Sequence, residues 1–353
     1  MRTLSLTLIT EGDPAQLTGG YQYHRRMAEA APVHGVRLAF LSLPRRRFPL
    51  AIAQARSLLR SAKLLQSDAV LLDSIAAAFV APWLPLERPL IAVAHQPPGG
   101  IDHGPLRAAL QARLDLRSYR RAAGLIAASD FLAGQLKSSG VAGAVISVVP
   151  PGRDLVPPSA GVAPDLRRGR AAALLTVANW LPRKGIDSLL DAFARLAPES
   201  ATLHLVGRTD IDPRYGQKIR RRLANPDLAG RVVVHGPLPA AEVATMYQAA
   251  NAFVLPSLRE PYGTVWAEAM AAGLPVIGFA AGNLPHLARD GVDGLLVAPK
   301  DSLALSRALQ ALVQDESLRR RLAASARQRA AGWPTWAETA ARFFSEVRRL
   351  AGL

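Results

Sequence analysis

Apolar residues fall into two kinds of run along this chain. The first kind is short and nearly continuous: Ala69–Leu72, Leu90–Ala94, Leu125–Ala128, Ala172–Val177, Thr202–Val206, Val232–His235, Ala252–Leu255, Pro275–Gly278 and Leu295–Ala298. Such runs predict parallel strands covered by helices on both faces. Thr3–Ile9 alternates like a strand, and Val36–Leu41 and Ile146–Val149 complete the set. The second kind has helical spacing and lies between the strands: Tyr21–Ala31, Ala51–Gln66, a helix capped by Ser129, Ile186–Leu196, Pro213–Leu223, Ala240–Gln248, Thr264–Ala272 and Ser302–Asp315. Two more helices, Leu318–Ala331 and Trp336–Leu350, close the chain. In Pro105–Arg121, Leu106, Leu110 and Leu114 recur every four residues. They predict a helix with one apolar stripe, and Arg113, Arg117, Arg120 and Arg121 share another face.

Strand–helix alternation on this scale predicts an α/β protein. At 353 residues the chain is too long for one core, so two domains are expected. The stretch Pro150–Pro164 is rich in Pro and Gly and reads as the break between them. The expected division is a first Rossmann-like domain over 1–155, a linker over 156–169, a second Rossmann-like domain over 170–335, and a terminal helix over 336–353. Open parallel sheets take ligands beyond the carboxyl ends of their strands, so two facing domains would enclose a cleft. The most membrane-like window, Ala69–Leu86, carries Asp73 and is broken by Pro82 and Pro85. It reads as a buried strand and a short helix rather than a span. The opening MRTLSLTLITEGD reads as a first strand rather than an export signal.

Charge adds a partner class without placing it. The formal net charge is +16, and only five of the 43 cationic residues are Lys. The basic excess suits nucleotide phosphates, anionic lipid or nucleic acid. The basic residues are scattered and few aromatics interleave with them, so nucleic acid is not the expected partner. With no cysteine, disulfides and thiolate metal sites are excluded. The expected setting is cytoplasmic, with a peripheral contact at an inner membrane surface.

Four segments carry candidate chemistry. In REPYGTVWAEAMAAGLPVIG, Gly263 precedes a helix, and the backbone of Gly263, Thr264 and Val265 at its N-terminus suits a phosphate. Glu268 lies one turn beyond Thr264 in an otherwise apolar helix, about 5.4 Å along the axis, which is the step from a diphosphate to ribose hydroxyls. Glu260 lies in the loop before it, where it can face a sugar or pair with Arg259. In VANWLPRKGIDSLLDAF, Arg183 and Lys184 follow a strand and suit a diphosphate, and Asp187 is placed as a cap or first-turn acid. Gly19 and Gly20 follow the first strand, where backbone meets a ligand closely. His95 falls just beyond a buried strand, before the loop QPPGGIDHG. Asp210 and Asp212 resemble an Asp-x-Asp metal motif, but they precede Pro213 and read as turn and capping residues. His95 and His103 lack a third ligand, so no metal is expected.

Taken together, these segments resemble the family-4 retaining glycosyltransferases of the GT-B fold, from Thr3 to about Leu350. The paired glutamates of EPYGTVWAEAMAAGLPV carry the resemblance most specifically. It implies a nucleotide-diphosphate sugar as donor, no metal and no separate cofactor. It implies that Arg183 and Lys184 bind the diphosphate, Glu268 the ribose, and that Glu260 and His95 face the donor sugar as the catalytic pair. Gly20 would line the phosphate site, and the last helix would cross back onto the first domain. Ala178-Asn179 stands where the family often has Gly-Arg, so Asn179 is placed on the donor's phosphate side. Gly282, Asn283 and His286 stand where it often has Gly-Gly and an acid. A nucleotide-sugar epimerase or sugar-phosphate synthase of the same fold, and a non-catalytic sugar-nucleotide-binding or membrane-surface protein, are the alternatives. The acceptor is open: a small molecule, or a membrane lipid met through the Arg113–Arg121 face together with Arg45, Arg46 and Arg47.

Overall fold

The computed structural model describes residues 2–14, 19–44, 50–60, 64, 66–141, 145–153 and 164–353. Arg45, Arg46 and Arg47, and most of the expected linker, lie outside them. The chain forms two compact units, Met1–Gly152 with Pro334–Leu353, and Arg153–Trp333.

The first unit is built on six parallel strands: β1 (Leu4–Glu11), β2 (Val36–Leu43), β3 (Ala69–Asp73), β4 (Leu90–Ala94), β5 (Gly124–Ala127) and β6 (Ile146–Val148). Their order is β2-β1-β3-β4-β5-β6, with every pairing parallel. Strands β3 and β4 are buried along their whole length, as continuous apolar runs require. The connecting helices are α1 (Gly19–Ala30), α2 (Leu50–Leu58), α3 (Ala77–Val80), α4 (Pro105–Tyr119) and α5 (Asp130–Ser138). Ser129 caps α5 as expected, accepting the Leu132 N–H at 3.1 Å.

The C-terminal helix, Trp336–Ala351, also belongs to this unit. Thr335 and Glu338 start it with a capping box. It buries Phe343, Phe344 and Val347 against Leu6, Leu8, Ile91 and Val93. The first break falls at Gly152, three residues before the expected one, because this helix holds the preceding segment. A Cβ on Gly152 would lie 2.4 Å from the Trp336 nitrogen, and Thr339 Oγ1 donates to the Pro150 carbonyl at 3.1 Å.

The second unit repeats the plan with β7 (Ala172–Val177), β8 (Ala201–Val206), β9 (Val232–Gly236), β10 (Ala252–Val254), β11 (Val276–Phe279) and β12 (Gly294–Val297). The order is β12-β11-β10-β7-β8-β9, again all parallel. Its helices are α6 (Ile186–Phe193), α7 (Pro213–Leu223), α8 (Ala240–Ala249), α9 (Thr264–Ala271), α10 (Leu284–Leu287), α11 (Ser302–Gln314) and α12 (Glu316–Ala331). Each sheet has one point where successive connections change direction: between β1 and β3 in the first unit, and between β7 and β10 in the second.

Helix α4 overturns its expected orientation. Leu106 is 89% exposed and Leu110 48% exposed, while Gln111, Asp115, Ser118 and Tyr119 are buried. The backbone explains the reversal. The Gly99 N–H needs an acceptor and finds Asp115 Oδ2 at 2.8 Å, and Ser118 Oγ donates to the Ala77 carbonyl at 2.7 Å. Gly99 also packs so near Ala108 that a Cβ would sit 2.5 Å from its carbonyl oxygen. The inner face of α4 therefore answers backbone groups of the Gly99 loop and of α3. At about 100° per residue, Arg113 and Arg117 share the exposed face with Leu106 and Leu110 instead of opposing it.

Burial pushes the Asp115 carboxyl up to about 7, outweighing the hydrogen bonds from Gly99, Ala78 and Gln111. A carboxyl raised on folding contributes stability that is complete below its unfolded value and is lost as pH rises through about 7. Asp115→Asn should therefore match wild type in urea denaturation at about pH 4 and exceed it at about pH 8. A constant difference between the two at both pH values would show that the carboxyl is not buried in this way.

Candidate functional site

The second unit gathers charge where its connections change direction. Arg183 and Lys184 follow β7, and Glu260 follows β10, the strand beside it. Lys184 Nζ and Glu260 Oε2 form a close ion pair, and Arg183 Nη1 reaches the same oxygen at 3.3 Å. These are the partners that Glu260 takes, rather than the adjacent Arg259, whose side chain is exposed. All three paired side chains are mostly buried. The two loops are also stitched by backbone: the Arg183 carbonyl accepts the Leu258 N–H at 2.7 Å and Ser257 Oγ at 3.0 Å. Gly185 then turns the chain into α6 with φ +68°, and a Cβ there would meet the Pro256 carbonyl oxygen at 2.2 Å. Burial works against the charged form of Glu260, but Lys184 and Arg183 outweigh it and hold the carboxyl below its ordinary range.

Helix α9 starts from Gly263, at φ +88°, where any Cβ would strike the buried Trp266 ring. Only glycine allows this entry. The N–H groups of Thr264 and Val265 have no intrahelical acceptor by helix geometry, so the start of α9 presents backbone donors. One turn on, half-buried Glu268 accepts the Tyr247 hydroxyl at 3.0 Å. Trp266, Ala267, Ala269 and Met270 of the same helix are buried. Tyr247 comes from α8 and was not among the expected site residues. An aromatic in an amphipathic helix carries no mark of a polar partner in another helix.

Neighbouring positions resolve differently. Asn179 Oδ1 accepts the Arg208 N–H at 3.0 Å, and Arg208 in turn holds Asp210 in a bidentate pair. Asp212 caps α7 through the Tyr215 N–H at 3.0 Å, so one aspartate of the metal-like motif is a cap and the other is paired with Arg208. Asp187 is a first-turn acid rather than a cap, bound by Tyr215 and Lys218. Gly282 passes so close to the Glu260 backbone that a Cβ would sit 2.7 Å from its carbonyl oxygen. Asn283 is buried, and its Nδ2 donates to the Tyr262 carbonyl at 2.8 Å.

The first unit also concentrates polar groups at its direction change. His95 follows β4, and Gly20 opens α1 against its ring, with the Cβ position 3.5 Å from His95 Cδ2. The structure thus brings two expected site residues together. Beneath them lie two residues that the sequence did not single out for chemistry. His24 of α1 sits 4.7 Å from the His95 ring, centroid to centroid, and Asp73 ends β3. Burial first, then His24, brings His95 down to about 3 against the opposing pull of Asp73, so its imidazole is neutral at physiological pH.

Two family models match this architecture, one per half. The one described as Glycosyltransferase Family 4 matches residues 5–156, and the one described as Glycosyl transferases group 1 matches residues 165–329. A D-inositol 3-phosphate glycosyltransferase of Xylanimonas cellulosilytica is 35% identical over 201 residues, covering 53% of this chain and 48% of that one. The chain thus spans about half the length of this curated relative. Sucrose-phosphate synthase from Thermosynechococcus elongatus has the same fold, with a TM-score of 0.84 at 22% identity over 98% of this chain and 99% of that one. An Anabaena protein, HepE, solved with UDP and glucose, gives 0.77 at 18% identity over 97% and 99%. Matched along both halves by these models and sharing this fold, the chain belongs to the family-4 glycosyltransferases of the GT-B type.

Proposed function

We propose that the protein is a retaining glycosyltransferase that moves a sugar from a nucleoside diphosphate sugar to an acceptor. The observation that carries this reading is the ion cluster of Lys184, Arg183 and Glu260 beside the start of α9. Two cations converge on one carboxylate at the turn where a diphosphate would sit. Their charge stabilises the leaving group most in the transition state, as negative charge grows on the departing oxygen. An ionised Glu260 can in turn accept sugar hydroxyls or oppose positive charge at the anomeric carbon. The resemblance supports His95 beside the donor sugar, Gly20 and Asn179 on the phosphate side, and Glu268 on the ribose. A relative named for D-inositol 3-phosphate supports a phosphorylated acceptor. The experiment is a panel of nucleotide sugars with acceptors that include inositol 3-phosphate, followed for nucleotide release and by NMR of the product. Release that depends on acceptor, with the donor's anomeric configuration kept, is expected. An inverted product overturns retention, and binding without release from any donor leaves a binding protein.

The ribose reading makes a separate demand on α9. Glu268→Ala should weaken nucleotide binding by about 1.5–3 kcal/mol, the scale of a charged hydrogen bond. Unchanged affinity by calorimetry in a folded variant would remove Glu268 from the site.

The reversed orientation of α4 supports a membrane partner for the first unit. Among the described residues no helix is long and apolar enough to cross a membrane. The outer face of α4 instead sets Leu106 and Leu110 among exposed Arg107, Arg113, Arg117 and Arg120. An anionic phospholipid surface matches both kinds of residue: each Arg contributes about 1 kcal/mol near it, and each leucine about 1.5–3 kcal/mol if fully buried. Sedimentation with liposomes should show binding to anionic vesicles that weakens at high salt and is lost in Leu106→Ser/Leu110→Ser and in Arg113→Ser/Arg117→Ser. Equal partitioning to neutral and anionic vesicles would overturn this contact.

A further inference from the structure

Asp73, His24 and His95 form a buried titratable cluster at the point where connections in the first sheet change direction. Asp73 is 2% exposed and His24 1%. The Asp73 carboxylate accepts Thr10 Oγ1 at 2.8 Å on Oδ2, and Ser74 Oγ at 3.2 Å and the Ile75 N–H at 3.3 Å on Oδ1. The same Ser74 hydroxyl accepts the His95 backbone N–H at 3.1 Å, so β3 and β4 are tied at their ends. His24 Nε2 lies 3.1 Å from Asp73 Oδ2. Burial opposes charge on Asp73, but His24, His95 and Thr10 overcome it and bring the carboxyl down to about 2.

His95 completes the cluster at right angles. Its ring meets His24 edge-on at 78° and Tyr23 at 4.9 Å and 62°. Its Nε2 is buried and has no hydrogen-bond partner among the described residues. A buried ring nitrogen left unsatisfied costs stability, and such sites are kept where a ligand supplies the partner. The titratable groups that face His95 are His24 and Tyr23 from α1 and Asp73 from the end of β3. Burial, then the Asp115 and Asp73 charges, push the Tyr119 hydroxyl of α4 up.

We propose that His24 is a positioning residue for His95: seated against the Asp73 carboxylate, it keeps the His95 ring uncharged and edge-on, so that Nε2 meets a substrate hydroxyl as a neutral hydrogen-bonding group. His24 adds to burial in holding down proton uptake by His95, against the opposing pull of Asp73. The part concerning a substrate hydroxyl rests on the glycosyltransferase reading. The part concerning the charge of His95 does not.

The test separates the two. Imidazole nitrogen NMR follows His95 between about pH 4 and 8 in wild type, His24→Gln and His24→Asn, with thermal melts to establish that the variants fold. Wild-type His95 should stay neutral across this range. In the variants its midpoint should rise into this window, the direction set by losing the lowering effect of His24 while Asp73 remains. With an active donor and acceptor in hand, kcat should acquire an acid limb at the same midpoint with little change in donor KM. A merely structural role for His24 would lower stability without moving that limb. A His95 midpoint unchanged in a folded variant overturns the proposal. A shifted midpoint in a protein that transfers no sugar overturns the function and leaves the positioning role of His24 intact.

Discussion

A strand covered by helices on both faces can do chemistry only at its ends. That constraint governs both halves of this molecule. The strands β3, β4 and β7 are walls of Ala, Val and Leu with scarcely a polar atom to spare. Their carboxyl ends must hand the backbone over to loops, and at one place in each sheet the loops on either side run in opposite directions. The crevice this leaves is lined by loop backbone rather than by a crossing helix. Asp73 and Thr10 bridge it in the first sheet, and Lys184 and Glu260 bridge it in the second. The polar clusters lie there because the rest of each sheet excludes them.

This constraint also explains what could be read from the sequence. Continuous apolar runs mark strands because burial on both faces leaves no room for alternation. The runs at Leu90–Ala94 and Ala172–Val177 coincide with β4 and β7. Helix α4 was misread for the complementary reason. Its leucines have helical spacing, but beneath it lie α3 and a loop whose backbone groups take Ser118 and Asp115. Apolar periodicity reports which face is buried only when the partner is apolar. Here the partner is backbone, so the polar residues turn inward and Leu106 is left outside.

The candidate site was legible where spacing within one element carries the meaning. Gly263, Thr264 and Glu268 are fixed relative to one another by a single helix, and eight residues separate the two glutamates. The contacts between elements were not legible. Arg183 and Glu260 meet across 77 positions, and Tyr247 reaches Glu268 from a different helix. His24 and Asp73 carry no motif at all. A lone histidine among the arginines of an amphipathic helix reads as surface until the sheet brings an aspartate beneath it.

The two clusters solve the problem of buried charge in opposite ways. In the second unit one carboxylate is met by two cations. Its desolvation cost is offset by short contacts and by a glycine-tight turn that keeps Lys184 near β10. In the first unit a carboxylate is satisfied by hydroxyls and a backbone amide with one imidazole beside it, while the second imidazole stays neutral. A site arranged to hold a diphosphate needs fixed charge that does not depend on pH, and Lys and Arg provide it. A group arranged to meet a sugar hydroxyl needs a ring nitrogen that stays uncharged, because a protonated imidazole can only donate. On the proposed glycosyltransferase reading, the division of residue types between the two sheets follows from that difference in what each would recognise.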